Sequence, residues 1–167
     1  MGNPNAVNAT ELNEAHFLAM QIWAFLHEPA TREQVAAAHV VNASSNSIQA
    51  ILLEKAQELG FQSERKGLFA KYQASGLRPD YYRPLGGSGI ILEVERGKII
   101  SNNMDILDLW KCHVCQEADY LFLVVPEFRP TKNGKLQRML PRIEKRLSTF
   151  FEPPNFVNVR ALFLIAY

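Results

Sequence analysis

Between Leu12 and Leu26, apolar side chains recur every three or four positions (Leu12, Ala15, Ala19, Ile22, Trp23, Leu26), the spacing of one face of an amphipathic helix. Pro29 closes that segment. A second helix is predicted from Thr31, where Thr31 and Gln34 have capping-box spacing; it carries Val35 and Ala38 inward and fades at Asn42. Ser44, Ser45, Asn46 and Ser47 offer N-caps for a third, whose stripe is Ile48, Ile51, Leu52, Ala56 and Leu59. Gly60 supplies its left-handed end.

After Gly60 the period shortens. Phe61 to Glu64 and Leu68 to Tyr72 read as short strands around a charged turn containing Lys66 and Gly67. Arg78 to Tyr82 is extended, because proline disfavours helix at the residue before it. The run Gly86-Gly87-Ser88-Gly89 is a flexible turn, and Ile90 to Arg96 follows as a strand. Asp105 to His113 is helical, with Ile106, Leu109 and Trp110 on one face. Tyr120 to Val125 is apolar throughout, as in a strand buried on both faces, and Pro126 ends it. A basic helix from about Leu136 to Phe150, kinked at Pro141, and a strand from Phe156 to Ala166 complete the order. Trp23 and Trp110, on apolar helical faces, are assigned to core packing. The expected class is a mixed α/β sheet flanked by helices. Residues 1–46 form a tail and helical segment packed on a core of residues 47–167.

The strand at Ile90 carries the most informative chemistry. On alternating faces, Ile90, Leu92 and Val94 point one way, while Ile91, Glu93 and Glu95 point the other. Two carboxylates on one face, with Cα atoms about 6.6 Å apart, need water, a basic partner or a cation beside them. Asp80 lies across the glycine-rich turn, where a hairpin brings its carboxylate to theirs. Oxygen donors of this kind suit a hard divalent ion such as Mg²⁺ or Mn²⁺. A Glu-x-Glu pair by itself reads equally well as surface carboxylates paired with Arg83, Arg96 or Lys98.

Pro79-Asp80 and Glu93-Val94-Glu95, with the order helix, strands, helix, strand, resemble the PD-(D/E)XK nuclease superfamily over about Ser47 to Val125. Glu95 stands where that family usually has lysine. The resemblance implies a restriction-endonuclease-like sheet and metal-dependent DNA phosphodiester hydrolysis. Asp80, Glu93 and Glu95 would hold the metal, and Glu95 would also position the attacking water. The missing positive charge would come from Lys111 on the following helix, or from Lys98, which strand parity places on the opposite face. The alternatives are a nuclease-fold DNA-binding module without catalysis, and a helix-turn-helix regulator presenting Asn46, Ser47 and Gln49 to base edges.

Composition refines this only slightly. The 167 residues are 47% hydrophobic and 21% charged, values of an ordinary globular chain. A net charge of +1 excludes a uniformly basic coat protein, but not a local basic face. Arg129 to Arg146 holds seven Lys or Arg against one acid, and Arg138, Arg142 and Arg146 are candidate phosphate contacts on the basic helix, with Arg78 and Lys98 nearer the acids. Arg65, Lys66 and Lys71 add to that excess. So small a chain implies a homodimer or partner subunit for sequence-specific cleavage. Apolar runs are too short to span a bilayer and the N-terminus has no leader pattern, so a cytoplasmic protein is expected. Cys112-x-x-Cys115 lacks the further ligands of a structural zinc site and reads as two thiols near a helix end. His16, His27 and His39 share no ligand spacing with it.

Overall fold

A five-stranded mixed sheet separates two apolar cores. The computed structural model describes residues 8–40, 45–63, 78–97, 99–131 and 133–167. Within them three helices come first: α1 (Ala9–His27), α2 (Pro29–Ala38) and α3 (Asn46–Glu58). Strands β1 (Gln62–Ser63), β2 (Tyr81–Leu85) and β3 (Ser88–Val94) follow, then α4 (Met104–Val114) and β4 (Tyr120–Val125). The chain continues through β5 (Phe128–Pro130), β6 (Leu136–Arg138) and α5 (Leu140–Ser148), and closes with β7 (Ala161–Ala166). The sheet order is β1-β2-β3-β4-β7. Its first three strands are antiparallel neighbours, whereas β3, β4 and β7 run parallel.

Alternation along the strands sorts side chains between the two cores. Leu92, Val94, Phe122, Val124 and Ile165 face α1, α2 and α3, which contribute Ile22, Leu26, Val35, Ile48 and Leu52. Ile91, Leu121, Leu123 and Leu162 face α4 and α5, which contribute Leu109, Cys112, Ile143 and Leu147. All six residues of β4 are buried, as a central parallel strand requires. Each parallel step also needs a crossover, and α4 supplies the one from β3 to β4. On the α1 side, buried Glu11 accepts from Arg160 Nη1 at 2.7 Å and from the Gly87 N–H at 3.2 Å, tying the helix to the β2–β3 turn.

Several expectations from the chain pattern are corrected. Pro29 closes α1 as expected, with Glu28 extended before it, but it also starts α2 ahead of Thr31, standing in the first turn where a missing N–H is no loss. Thr31 therefore lies inside α2, buried, and forms no capping box. The segment from Leu136 is a hairpin strand before it is a helix. Phe128 pairs with Arg138, and Asn133-Gly134, with Gly134 at φ +74°, makes the turn. Pro141 then sits at the start of α5, not at a kink, and Arg138 is not on the helix with Arg142 and Arg146. The last strand begins at Ala161, not Phe156, although Val157 and Val159 are buried.

Trp23 and Trp110 are 43% and 60% exposed. The inward rows of their helices are taken by Ala19, Ile22 and Leu26 in α1 and by Asp105, Asp108, Leu109 and Cys112 in α4. Each tryptophan instead lies against a histidine on its own helix, His27 and His113 respectively. The expected strand at Leu68–Tyr72, with Arg65, Lys66 and Lys71, lies outside the described residues, as does Lys98.

Gly89 begins the stretch of β3 that leads to the acids and has no room for a side chain. A Cβ there would stand 2.5 Å from Tyr82 Cε2 and 2.6 Å from the Glu117 carbonyl oxygen. The Tyr82 hydroxyl donates to that same carbonyl at 3.0 Å, so the ring cannot withdraw without losing the bond. Gly89→Ala is expected to lower stability by roughly 1–3 kcal/mol, read as a fall in the urea midpoint. An unchanged midpoint would show that this packing is not tight.

Candidate functional site

Register brings Asp80 to Glu93. Tyr81 pairs with Leu92 across the β2–β3 hairpin, so Asp80, one residue earlier, stands opposite Glu93 on the same face. The Asp80 N–H donates to Glu93 Oε2 at 3.3 Å, and Asp80 Oδ2 accepts from the Val94 N–H at 2.8 Å. From α3, the Gln49 side chain also donates to the Asp80 carboxylate. Glu95 lies just past the last residue of β3, yet its backbone is held at both ends. Its N–H donates to the Val124 carbonyl at 2.8 Å, and its own carbonyl accepts from the Tyr167 hydroxyl at 3.0 Å.

At Glu93 this face is closed to solvent, because α4 packs over it, whereas Glu95 is half-buried. Glu93 is only 2% exposed. Lys111 reaches down from α4, its Nζ 2.9 Å from Glu93 Oε1 and 2.9 Å from Asp108 Oδ1. Asp108 is fully buried one helical turn before Lys111 on the same face. The alternative pairing of Glu93 with Arg83 is not formed, since Arg83 pairs with Glu14 at 3.0 Å. The centre therefore contains Asp80, Glu93, Glu95, Asp108 and Lys111, with Asp80, Asp108 and Lys111 acting electrostatically on both glutamates.

Asp108 and Gln49 are absent from the sequence-based site. A signal for Asp108 did exist. Asp105, Asp108 and Lys111 recur at three-residue spacing along the stripe that Leu109 and Cys112 mark as inward. Charged residues at core-facing helical positions call for partners there.

Burial and mutual repulsion raise these acids above the ordinary carboxylate range. Burial, then the charges of Asp108 and Asp80, raise Glu95 to about 8, with Lys111 acting against them. Burial raises Asp108 to about 6 against the pull of Lys111. Glu93 is pushed well above the ordinary range by burial and by Asp108, and Asp80 is raised by burial. For Lys111, burial alone would lower the value, but the charges of Glu93 and Asp108 outweigh it and keep the ammonium protonated. Four carboxylates thus face one cation. That imbalance suits a hard divalent ion. Asp108 Oδ2 and both Asp105 oxygens are buried without a hydrogen-bond partner among the described residues. Among the described residues, no group of three or more His, Cys, Asp or Glu is already arranged to hold a metal.

A groove of about 730 Å³ runs beside α3, lined by Asn46, Gln49, Leu53, Gln57 and Arg78 and reaching Asp80. Arg78 and Arg142 are exposed. Arg138 is exposed on β6, 3.8 Å from Glu127. Arg146 is engaged otherwise: it donates to Ile100 O and Asn103 Oδ1 and lies 3.4 Å from buried Asp105, fastening α5 to the start of α4. Cys112 and Cys115 are buried at the end of α4 and form no disulfide, with burial raising the Cys112 value. No helix among the described residues is long and apolar enough to cross a membrane.

Compared with protein-family models, curated proteins and solved structures, the chain matches none.

The shifted acids predict how stability depends on pH. In the unfolded chain Glu95 ionises near the ordinary value of 4.5, whereas folded Glu95 holds its proton to about 8. Folding therefore takes up a proton in that window, and stability is highest below it and falls as pH rises through it. Asp108, raised to about 6, adds to the lower part. In chelator-treated protein the urea midpoint should fall between about pH 4.5 and 8, and Glu95→Gln should remove most of the slope in the upper half. A midpoint that rises with pH across this range would contradict the assignment.

Proposed function

We propose that the chain is a metal-dependent DNA nuclease, cleaving phosphodiester bonds at the Asp80–Glu93–Glu95 centre on a restriction-endonuclease-like sheet. The observation that carries this reading is the convergence of Lys111 on Glu93 in the same cluster as Asp80 and Glu95. A lysine from α4 thereby brings back to the centre the charge that Glu95 displaces from its usual place. The element order supports it further: an antiparallel β1-β2-β3 meander, then α4, then a parallel β4, with acids at the β2 entrance and the β3 end. The carboxyl ends of parallel strands are also where open α/β sheets take their ligands.

Asp80, Glu93 and Glu95 are the residues that would hold Mg²⁺ or Mn²⁺. When bound, such an ion polarises a phosphate and lowers the pKa of water at the site. The chain's own contributions are distinct. Asp80, fixed by the Val94 N–H and by Gln49, sets the hairpin side of the centre. Glu95, its backbone anchored through Val124 and Tyr167, would orient the attacking water and, in its ionised form beside a bound cation, accept the water's proton. Lys111 offers positive charge to the phosphate as negative charge builds on it. Arg78 at the groove, with Arg138 and Arg142 on the far hairpin and α5, supplies sequence-independent attraction for the DNA backbone. A homodimer or partner subunit would present a second centre to the other strand.

Supercoiled plasmid and short duplexes, incubated with Mg²⁺ or Mn²⁺, are expected to be nicked or cut, and chelation should stop the reaction. Glu93→Gln should reduce the rate on the order of 100-fold or more, as loss of a metal-holding or acid–base group does. Equal cleavage by both proteins would defeat the proposal. Salt-sensitive DNA binding that persists in Glu93→Gln, with no cleavage by either protein, would favour a nuclease-fold binding module instead.

A further inference from the structure

Resting on that reading of the acidic centre, we propose that Asp108 is its fourth cation-binding acid, and that Lys111 is the counter-ion a divalent metal displaces. The Lys111 ammonium bridges Glu93 Oε1 and Asp108 Oδ1 at 2.9 Å each, so one cation is shared by a strand acid and a helix acid. A metal ion seeks the same oxygens. The second Asp108 oxygen, Oδ2, is buried and has no hydrogen-bond partner among the described residues, while the residue itself is 0% exposed. A buried carboxylate oxygen without a donor is costly, and at Asp108 it sits on the same carboxylate that already shares a cation with Glu93.

Asp105, the other fully buried acid of α4, shows the contrast. Its two oxygens also lack hydrogen-bond partners among the described residues, but its charge is met by Arg146 at 3.4 Å, at the α4–α5 junction. Asp108 faces the centre: it acts electrostatically on both Glu93 and Glu95, and Asp80 acts on it. Helix α4 therefore delivers an acid for the ion and a base that holds the ion's place. Exchange releases Lys111 from both carboxylates and makes its charge available to the phosphate. In this scheme metal binding and the arming of Lys111 are one event.

The test is Mn²⁺ titration of the full chain by calorimetry, using wild type, Lys111→Met, Asp108→Asn and Glu93→Gln, with folding checked by circular dichroism. Lys111→Met should bind Mn²⁺ at least tenfold more tightly than wild type, although cleavage falls, because the competing cation is gone. Asp108→Asn should bind at least tenfold more weakly. A purely structural Lys111 would not raise affinity when removed. If Lys111→Met does not fold, Lys111→Gln, which keeps hydrogen-bond donors but loses the charge, takes its place with the same expectation. Binding that Glu93→Gln abolishes, but the Lys111 and Asp108 variants leave unchanged, overturns this inference and leaves the cation centre standing. Absence of Mn²⁺ binding in wild type and every variant overturns both.

Discussion

Glu93 is a carboxylate on the central strand of a sheet that is covered on both faces, and the surrounding architecture depends on its compensation. Left alone at 2% exposure it would cost several kcal/mol or give up its charge. Lys111 meets it from α4, and α4 is the crossover that makes β3 and β4 parallel. The ion pair thus joins the strand that carries the acid to the helix that the chain path requires above it. Asp108 tightens the same junction from within α4. Moving the helix by one turn would part Lys111 from Glu93 and leave that carboxylate buried without its cation.

The two faces of the sheet divide the work. Towards α1, α2 and α3 the strands present Leu92, Val94, Phe122 and Val124 to an apolar layer, with Glu11 and Arg160 pairing at its margin. Towards α4 and α5 the same strands present Ile91, Leu121 and Leu123, and then, at the end of β3, the acids. Close packing on the first face fixes the strand register that places Asp80 opposite Glu93. The charged centre thus draws its backbone geometry from a core on the other side of the sheet.

Much of this was legible along the chain. The helical stripes of α1 and α3 follow the 3.6-residue period closely, and the apolar run from Tyr120 behaves as a strand buried on both faces. Strand parity and the glycine turn were enough to pair Glu93 with Glu95 and to bring Asp80 across to Glu93. The basic segment was misread because its charges obscured the Asn133-Gly134 turn, a local backbone preference that outweighs helical spacing there. The tryptophans were misplaced because apolarity alone does not say which side of a helix meets the sheet. Asp108 was passed over because an aspartate near a helix start reads as solvent-facing until the helix is docked.

By itself the sequence determined the class of fold, the alternation that puts Glu93 and Glu95 on one face, and the turn that returns the chain to Asp80. These follow from neighbouring residues, through side-chain period and backbone preference. Only the tertiary structure decided that Lys111 lies against Glu93, that Asp108 joins the acids, and that Arg146 spends its charge on Asp105. Those outcomes depend on how α4 and α5 rotate and dock on the sheet. Burial then sets the energetics, because a charge removed from water must find its partner wherever the packing leaves one.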